Sequence, residues 1–99
     1  MGDDRSVIEA VWRLEAPRIL GALSRVVRDV DLAEQCAHDA LVAALEQWPR
    51  DGTPASPGAW LMAVARRRAL DELRRQRREQ EGLLGLGRVF LERQLATAN

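Results

Sequence analysis

The 99-residue chain contains one cysteine, one histidine, no lysine, no tyrosine and no long apolar run. A single cysteine excludes an internal disulfide bond, so the cytoplasm is the default compartment. No apolar run approaches the roughly 20 residues that span a bilayer, and the acidic start is not a signal peptide. We therefore expect a cytoplasmic protein that has no membrane partner.

Catalytic and metal-binding motifs are also scarce. Cys36 and His38 are two residues apart, which points them to different faces of a helix, and no second pair completes four zinc ligands. The chain has no phosphate-binding glycine loop and no nucleophile motif, and a domain this small offers no evident catalytic cleft. The sequence therefore predicts no cofactor, no metal ion and no enzymatic activity. Cys36 is expected in the core and His38 on the surface.

Charge is unevenly distributed along the chain. All fifteen basic residues are arginine, and fifteen acidic residues balance them to a net charge of zero. Residues 1–51 carry six arginines and ten acids, whereas residues 52–78 carry seven arginines and two acids. An acidic first half and a basic second half indicate two surfaces with different partners.

Apolar periodicity predicts an all-α fold, a compact bundle of three main helices with a possible short fourth helix at the C-terminus. Residues 1–5 are expected to be disordered. A capping box at Ser6 opens the first helix, over residues 6–28. Pro17 removes a hydrogen bond from this helix, which leaves two alternatives, one kinked helix or two helical pieces. Glu15 interrupts an inward stripe that consists of Ile8, Trp12, Ile19, Leu23, Val26 and Val30.

The second helix is predicted over about residues 31–48. Asp31 is its expected N-cap, and Pro49 should stop it because the residue before proline avoids the helical conformation. One face is small and apolar and should lie inward, with Ala33, Cys36, Ala37, Ala40, Leu41, Ala44, Leu45 and Trp48. The opposite side is polar, with Glu34, Gln35, His38, Asp39 and Glu46.

Residues 49–58 form the one clear loop, which three prolines and two glycines stiffen. Ser56 and Pro57 are a helix start signal. The helix that follows is apolar at first, with Trp60 expected in the core, and it becomes arginine-rich at Arg66.

Beyond Arg78 the helical pattern weakens. The segment GLLGLG at 82–87 is too glycine-rich to predict a firm helix. Residues 88–96 are either a short final helix or a frayed tail.

The segments DLAEQCAHDALVAALEQWP and PGAWLMAVARRRALDELRRQRR resemble region 2 of bacterial sigma factors of the sigma-70 family, and most closely the extracytoplasmic-function (ECF) group. Residues 6–78 would form this region, and residues 79–99 would be a linker or a C-terminal helix. Nine positions of the second segment carry the residue that the family shows there: Trp60, Leu61, Val64, Ala65, Arg66, Ala69, Asp71, Arg74 and Arg75.

The resemblance implies that the second helix docks on the clamp helices of the RNA polymerase β′ subunit. The matching positions are Asp31, Glu34, Gln35, His38 and Asp39. Gln35 stands where the family usually has an acid, and His38 where it usually has glutamine.

The resemblance also implies that the loop and the third helix bind the melted −10 element of promoter DNA on its non-template strand. Arginines suit this task because they neutralise phosphates, and a stiff loop suits the capture of an exposed base. Arg67 replaces a common asparagine. The implied DNA-binding residues are Asp51, Thr53, Ser56, Arg66, Arg67, Arg74, Arg75, Arg77 and Arg78.

An anti-sigma factor is a further partner that the resemblance allows. Complete members of the group also have a helix-turn-helix region 4, which these residues do not include, so we expect a domain fragment or a degenerate relative. Two alternatives stay open at this point. One is a sigma-like protein-interaction bundle, or decoy, that binds a regulator, and the other is a generic single-stranded nucleic-acid-binding helical domain.

Overall fold

The computed structural model describes residues 4–97, and these form three helices with no strand among them. The helices are α1 (Asp4–Val27), α2 (Val30–Asp51) and α3 (Pro57–Thr97), and each packs against the other two. The prediction of an all-α bundle is confirmed. No helix within the described residues combines the length and hydropathy that a membrane span needs.

Helix α1 runs through Pro17 as a single helix, so the division into two pieces does not occur. Asp4 and Arg5, expected to be disordered, belong to the helix, while residues 1–3 lie outside the described residues. Val26 was predicted to lie inward, but it is 37% exposed because α1 ends at Val27 and the chain turns away.

The turn between α1 and α2 depends on two residues. Arg28 has a positive φ of 53°, and its N–H donates to the carbonyl oxygen of Ser24 at 3.0 Å. Asp29 is the N-cap of α2, since its side chain accepts a hydrogen bond from the N–H of Leu32 at 3.2 Å. The prediction of Asp31 as the cap is therefore wrong by two residues. Val30 begins α2 and is 64% exposed, so its predicted inward position is also wrong.

Helix α2 continues past Pro49 to Asp51, so the prediction that proline ends it is wrong. A proline removes its own N–H but leaves the carbonyls before it available. Gly52 uses one of them, because its N–H donates to the carbonyl oxygen of Trp48 at 2.8 Å. Its φ of 92° is a conformation that glycine adopts at little cost.

The core lies where α1 and α3 pack on the small residues of α2. Alanine leaves room for neighbouring helices to approach closely, and this face of α2 carries four alanines that are 0% exposed: Ala33, Ala37, Ala40 and Ala44. Ile8, Ile19, Leu23 and Leu61 are the largest fully buried side chains. Leu45 was predicted to face this core, but it is 39% exposed.

Helix α3 is unbroken through the GLLGLG segment. The expectation of no firm helix at 82–87 is therefore wrong, and residues 88–96 are neither a separate short helix nor a frayed tail. Each glycine costs a helix only about 1 kcal/mol relative to alanine, which weakens the helix without stopping it. Every residue from 74 to 97 is exposed. The C-terminal part of α3 therefore projects beyond the bundle and gives the described chain a longest dimension of 77 Å.

Candidate nucleic-acid and polymerase interface

Seven exposed arginines lie between residues 66 and 78 of α3. Helical spacing arranges them in three rows along the helix. One row contains Arg66 and Arg77, the second contains Arg67, Arg74 and Arg78, and the third contains Arg68 and Arg75. The second row is opposite the buried face of α3 and points away from the bundle.

Two of these arginines are already paired. Arg75 donates hydrogen bonds to both Glu72 and Glu79, including one from Nε to Glu72 Oε2 at 3.0 Å. These bonds hold the pKa of Glu72 below its ordinary value and raise the pKa of Arg75. Arg74 donates a hydrogen bond from Nη1 to Oδ1 of Asp71 at 3.4 Å.

The other five arginines form no ion pair with any residue from 4 to 97. Arg68 is among them, although it is not one of the DNA-binding residues that the resemblance implies. Its place in the arginine run was the available signal. The five unpaired arginines are Arg66, Arg67, Arg68, Arg77 and Arg78.

A groove of about 540 Å³ separates α2 from the arginine-rich part of α3. Gln35 and Asp39 line it from α2, and Arg68, Arg75 and Arg78 line it from α3. Residues predicted for polymerase docking and residues predicted for DNA binding therefore meet in one groove. The two predicted surfaces are neighbours rather than opposite faces.

Cys36 lies at the base of this groove and is 3% exposed, which confirms its predicted place in the core. Burial raises the pKa of its thiol, and the charges of Asp39 and Glu72 add to that effect. The thiol therefore stays protonated at neutral pH, a state unsuited to a nucleophile or a metal ligand. No three His, Cys, Asp or Glu side chains cluster as metal ligands within residues 4–97.

A second groove, of about 490 Å³, lies further along the same two helices. Trp60 lines it together with Gln47, Arg67 and Arg68. Trp60 is half-buried, and its ring meets that of Trp48 edge to face with centroids 5.3 Å apart. Trp60 thus packs against the core, as predicted, and also faces a groove that two unpaired arginines border.

The loop between α2 and α3 spans residues 52–56 and is shorter than the predicted 49–58. Thr53 and Ser56 are exposed on it, and Asp51 is the exposed last residue of α2. At 1.5 Å per residue, Ser56 and Arg66 are about 15 Å apart along α3. Ser56 and Arg78 are about 33 Å apart on the same scale, so the predicted DNA-binding residues form an extended track rather than one pocket.

The predicted docking residues of α2 do not form a compact acidic patch. Gln35 and Asp39 border α3. His38 is exposed, as predicted, and its ring lies 6.0 Å from that of Trp12 on α1. Asp31 and Glu34 are also exposed, whereas Asp39 is half-buried.

Val42 and Leu45 are two residues of the outer face of α2 that sequence reasoning missed. They are 51% and 39% exposed. Val42 follows His38 by one helical turn, so its spacing from the polar positions could have identified it. Apolar side chains within a polar surround are typical of the centre of a protein interface.

The chain belongs to the sigma-70 region 2 family, which it matches over residues 11–79. This confirms the resemblance seen in the two motifs. The chain is 48% identical over 63 residues to an uncharacterized protein of Rhizobium meliloti (strain 1021), a match that covers 64% of this chain and 15% of that protein. It is 34% identical over 80 residues to the ECF RNA polymerase sigma factor SigK of Mycobacterium ulcerans (strain Agy99), which covers 75% of this chain and 41% of SigK.

The matches thus span less than half the length of either relative. No solved structure gives a significant match.

Proposed function

We propose that this chain is the region 2 module of an ECF-type sigma factor and acts in transcription initiation. In this proposal α2 docks on the β′ clamp helices of RNA polymerase, and α3 with the preceding loop binds the melted −10 element. The observation that carries the proposal is the set of five exposed arginines on α3 without a carboxylate partner among the described residues. The module supplies binding only, and catalysis belongs to the polymerase.

The DNA-binding part follows from the arrangement of charge. Arg67 and Arg78 lie 11 residues apart in the outward row, about 16 Å along the helix. That row matches a track of phosphates better than it matches a single anionic group, and phosphate contacts of this kind are weakened by salt. Trp60 and Arg67 border one groove, so an aromatic ring lies beside the outward row of arginines.

The docking part rests on the outer face of α2. Val42 and Leu45 supply the apolar centre, and polar residues such as Asp31 and His38 surround it. A small apolar centre with a polar rim suits a protein partner that binds and is released. We expect Val42 to contribute more to docking than the half-buried Asp39.

The test separates the two surfaces with matched variants. Binding of the chain to a β′ clamp-helix fragment is measured for Val42→Asp and for the control Leu14→Asp, which changes an apolar residue of α1 that is 81% exposed. We expect Val42→Asp to weaken binding about tenfold or more, because it places a charge in the interface centre, and Leu14→Asp to have little effect.

Binding of a holoenzyme, assembled from the chain and core RNA polymerase, to single-stranded −10 oligonucleotides is measured for Arg67→Ala with Arg78→Ala. The control is Arg75→Ala, which removes an arginine that two glutamates already neutralise. We expect the double variant to bind DNA more weakly and with a smaller salt dependence, and clamp binding to be unchanged.

Three outcomes would contradict the proposal in different ways. Tight single-strand binding without polymerase, insensitive to Val42→Asp, would favour a generic nucleic-acid-binding domain. Clamp binding without any DNA binding in the holoenzyme would favour an interaction bundle or decoy. Equal loss of both activities in every variant would show that the two surfaces are not separable.

A further inference from the structure

Glu15 is a carboxylate at a position of α1 that otherwise faces the core. It lies between the half-buried Trp12 and the fully buried Ile19, and its own side chain is 26% exposed. Arg18 has its Nη1 3.7 Å from Glu15 Oε2, but that arginine is 70% exposed. A surface ion pair between positions three apart does not explain why the carboxylate lies inward.

The carboxyl group of Glu15 lies against Gly58, the second residue of α3. A β-carbon on Gly58 would come within 2.5 Å of Glu15 Cδ and within 2.7 and 2.8 Å of its two oxygens. Gly58 lies in a helix, where glycine is normally unfavourable, so close approach is the reason that glycine suits this position. The first turn of a helix carries partial positive charge, which favours a carboxylate beside it.

This contact is made at the end of the loop that the proposed function uses. The loop is held at α2 by the Gly52 hydrogen bond to Trp48, and at α3 by the N–H of Trp60, which donates to the carbonyl oxygen of Ser56 at 3.0 Å. Through Gly58, α1 becomes a third element that fixes the path of residues 53–56. The loop contains Thr53 and Ser56, the exposed residues predicted to contact DNA.

We infer that Glu15 is a positioning residue for the 52–56 loop and thereby sets how well that loop discriminates between promoter bases. Glu15 does not itself touch DNA in this scheme. It holds the start of α3 at one distance from α1, and the loop takes its conformation from that anchor. The effect on base discrimination rests on the proposed function, whereas the positioning of the loop by Glu15 concerns the chain alone.

The first experiment measures loop order in the free chain by ¹⁵N relaxation of the Thr53, Ala55 and Ser56 amides. Glu15→Gln removes the charge and keeps the size, and Glu9→Gln makes the same change at an exposed position of α1. We expect Glu15→Gln to lower the order parameters from rigid values of about 0.85 toward the flexible range below about 0.6. Glu9→Gln should leave them unchanged.

The second experiment measures base discrimination in the holoenzyme. The readout is the Kd for a scrambled oligonucleotide divided by the Kd for the tightest single-stranded −10 oligonucleotide that the wild type selects. Partial unfolding lowers the active concentration equally for both oligonucleotides, so it does not change this ratio. We expect Glu15→Gln to lower the ratio about threefold to tenfold, the size expected for loss of a charge at a helix N-terminus, and Glu9→Gln to leave it unchanged.

Gly58→Ala tests the contact from the other side. The new methyl group displaces the flexible end of Glu15 while alanine strengthens the helix, so the chain should remain folded. We expect the ratio to fall as it does in Glu15→Gln, and the two changes together to lower it no further. Non-additivity is the signature of one shared contact.

The outcomes distinguish this inference from the proposed function. If the wild-type holoenzyme shows no discrimination, the proposed function fails, and the relaxation measurement alone decides whether Glu15 positions the loop. If the wild type discriminates but Glu15→Gln and Glu9→Gln behave alike in both experiments, the positioning role of Glu15 is overturned. Full discrimination in Gly58→Ala would overturn it as well.

Discussion

Glu72 and Glu79 together occupy the guanidinium of Arg75. Glu72 accepts hydrogen bonds from the Arg75 guanidinium, and Glu79 binds the same group from the next turn. The lowered pKa of Glu72 means that this pair is complete at neutral pH and is lost only as the pH falls through the lowered value. Arg75, which is one of the positions that match the family, is therefore already paired within α3.

Replacing both Glu72 and Glu79 with glutamine should release Arg75 for phosphate binding. We expect Glu72→Gln with Glu79→Gln to increase the affinity of the holoenzyme for single-stranded DNA and to steepen the dependence of log Kd on log salt by about 0.7, the value for one more neutralised phosphate. Glu9→Gln with Glu46→Gln, on α1 and α2, makes the same charge change away from the arginine rows and is the control. The measurement is a salt titration of oligonucleotide binding, and equal slopes for the two variants would contradict the prediction.

In the turn between α1 and α2, one residue with a side chain adopts a backbone conformation that favours glycine. Arg28 adopts φ 53° to end α1, a conformation that costs a residue with a side chain roughly 1 kcal/mol more than glycine. The turn nevertheless places Asp29 at the start of α2, where it caps the helix. The cap and the packing of both helices maintain the strained residue.

Arg28→Gly should therefore stabilise the bundle. We expect a gain of about 1 kcal/mol, which for a domain of this size raises Tm by roughly 4–8 °C. Arg25→Gly is the matched control, since Arg25 lies within the last turn of α1 and has helical backbone. It should lose about 1 kcal/mol, because glycine weakens a helix. Thermal unfolding followed by circular dichroism measures both, and a loss of stability in Arg28→Gly would contradict the account.

Sequence reasoning succeeded where the pattern was long and local. The alanine face of α2, the buried Cys36 and the start of α3 at Pro57 all follow from periodicity or a start signal. It failed at boundaries, where alternatives differ by little energy. Asp29 and Asp31 are both able to cap α2, and Asp29 is the cap in the structure, directly after the positive φ of Arg28.

The contacts of the candidate site were less predictable because they join distant parts of the chain. Glu15 looked like a polar interruption of an apolar stripe, and its partner Gly58 is 43 residues away in the sequence. Leu45 was predicted to lie inward because periodicity identifies the apolar face of a helix. It does not show how much of that face the neighbouring helices cover. The charge distribution identified the arginine run, but only the structure shows which arginines are paired.

The packed core and the long dimension of the molecule come from different parts of the chain. The three helices pack together near the N-terminal half of α3, whereas its C-terminal residues lie in solvent with large apolar side chains such as Leu84 and Phe90 exposed at 70% and 61%. An isolated helical segment with three glycines has little stability of its own. The projecting part should therefore unfold locally well before the bundle does.

A chain that ends at Glu81 tests whether the projecting part of α3 stabilises the bundle. We expect its Tm to stay within about 3 °C of the full chain, because the removed residues add no packing to the core. Limited trypsin digestion of the full chain should likewise cleave first after Arg88 and Arg93. A fall in Tm of more than about 10 °C would show instead that the projecting part stabilises the bundle.

The unbroken course of α3 also fixes a rotational relation along its length. Leu83 follows Ala65 by 18 residues, and Glu92 follows Arg74 by the same number, which is about five full turns of an α-helix. Leu83 is therefore in phase with the core-facing side of α3 and Glu92 with the outward arginines, whereas Leu84 and Leu95 are in phase with Arg66 and Arg77. Deleting one residue near Glu79 would rotate everything beyond it by about 100° relative to the bundle, whereas deleting seven would rotate it by only about 20°. The angular relation between the two ends of α3 is thus set by residue count alone, at positions that touch neither end.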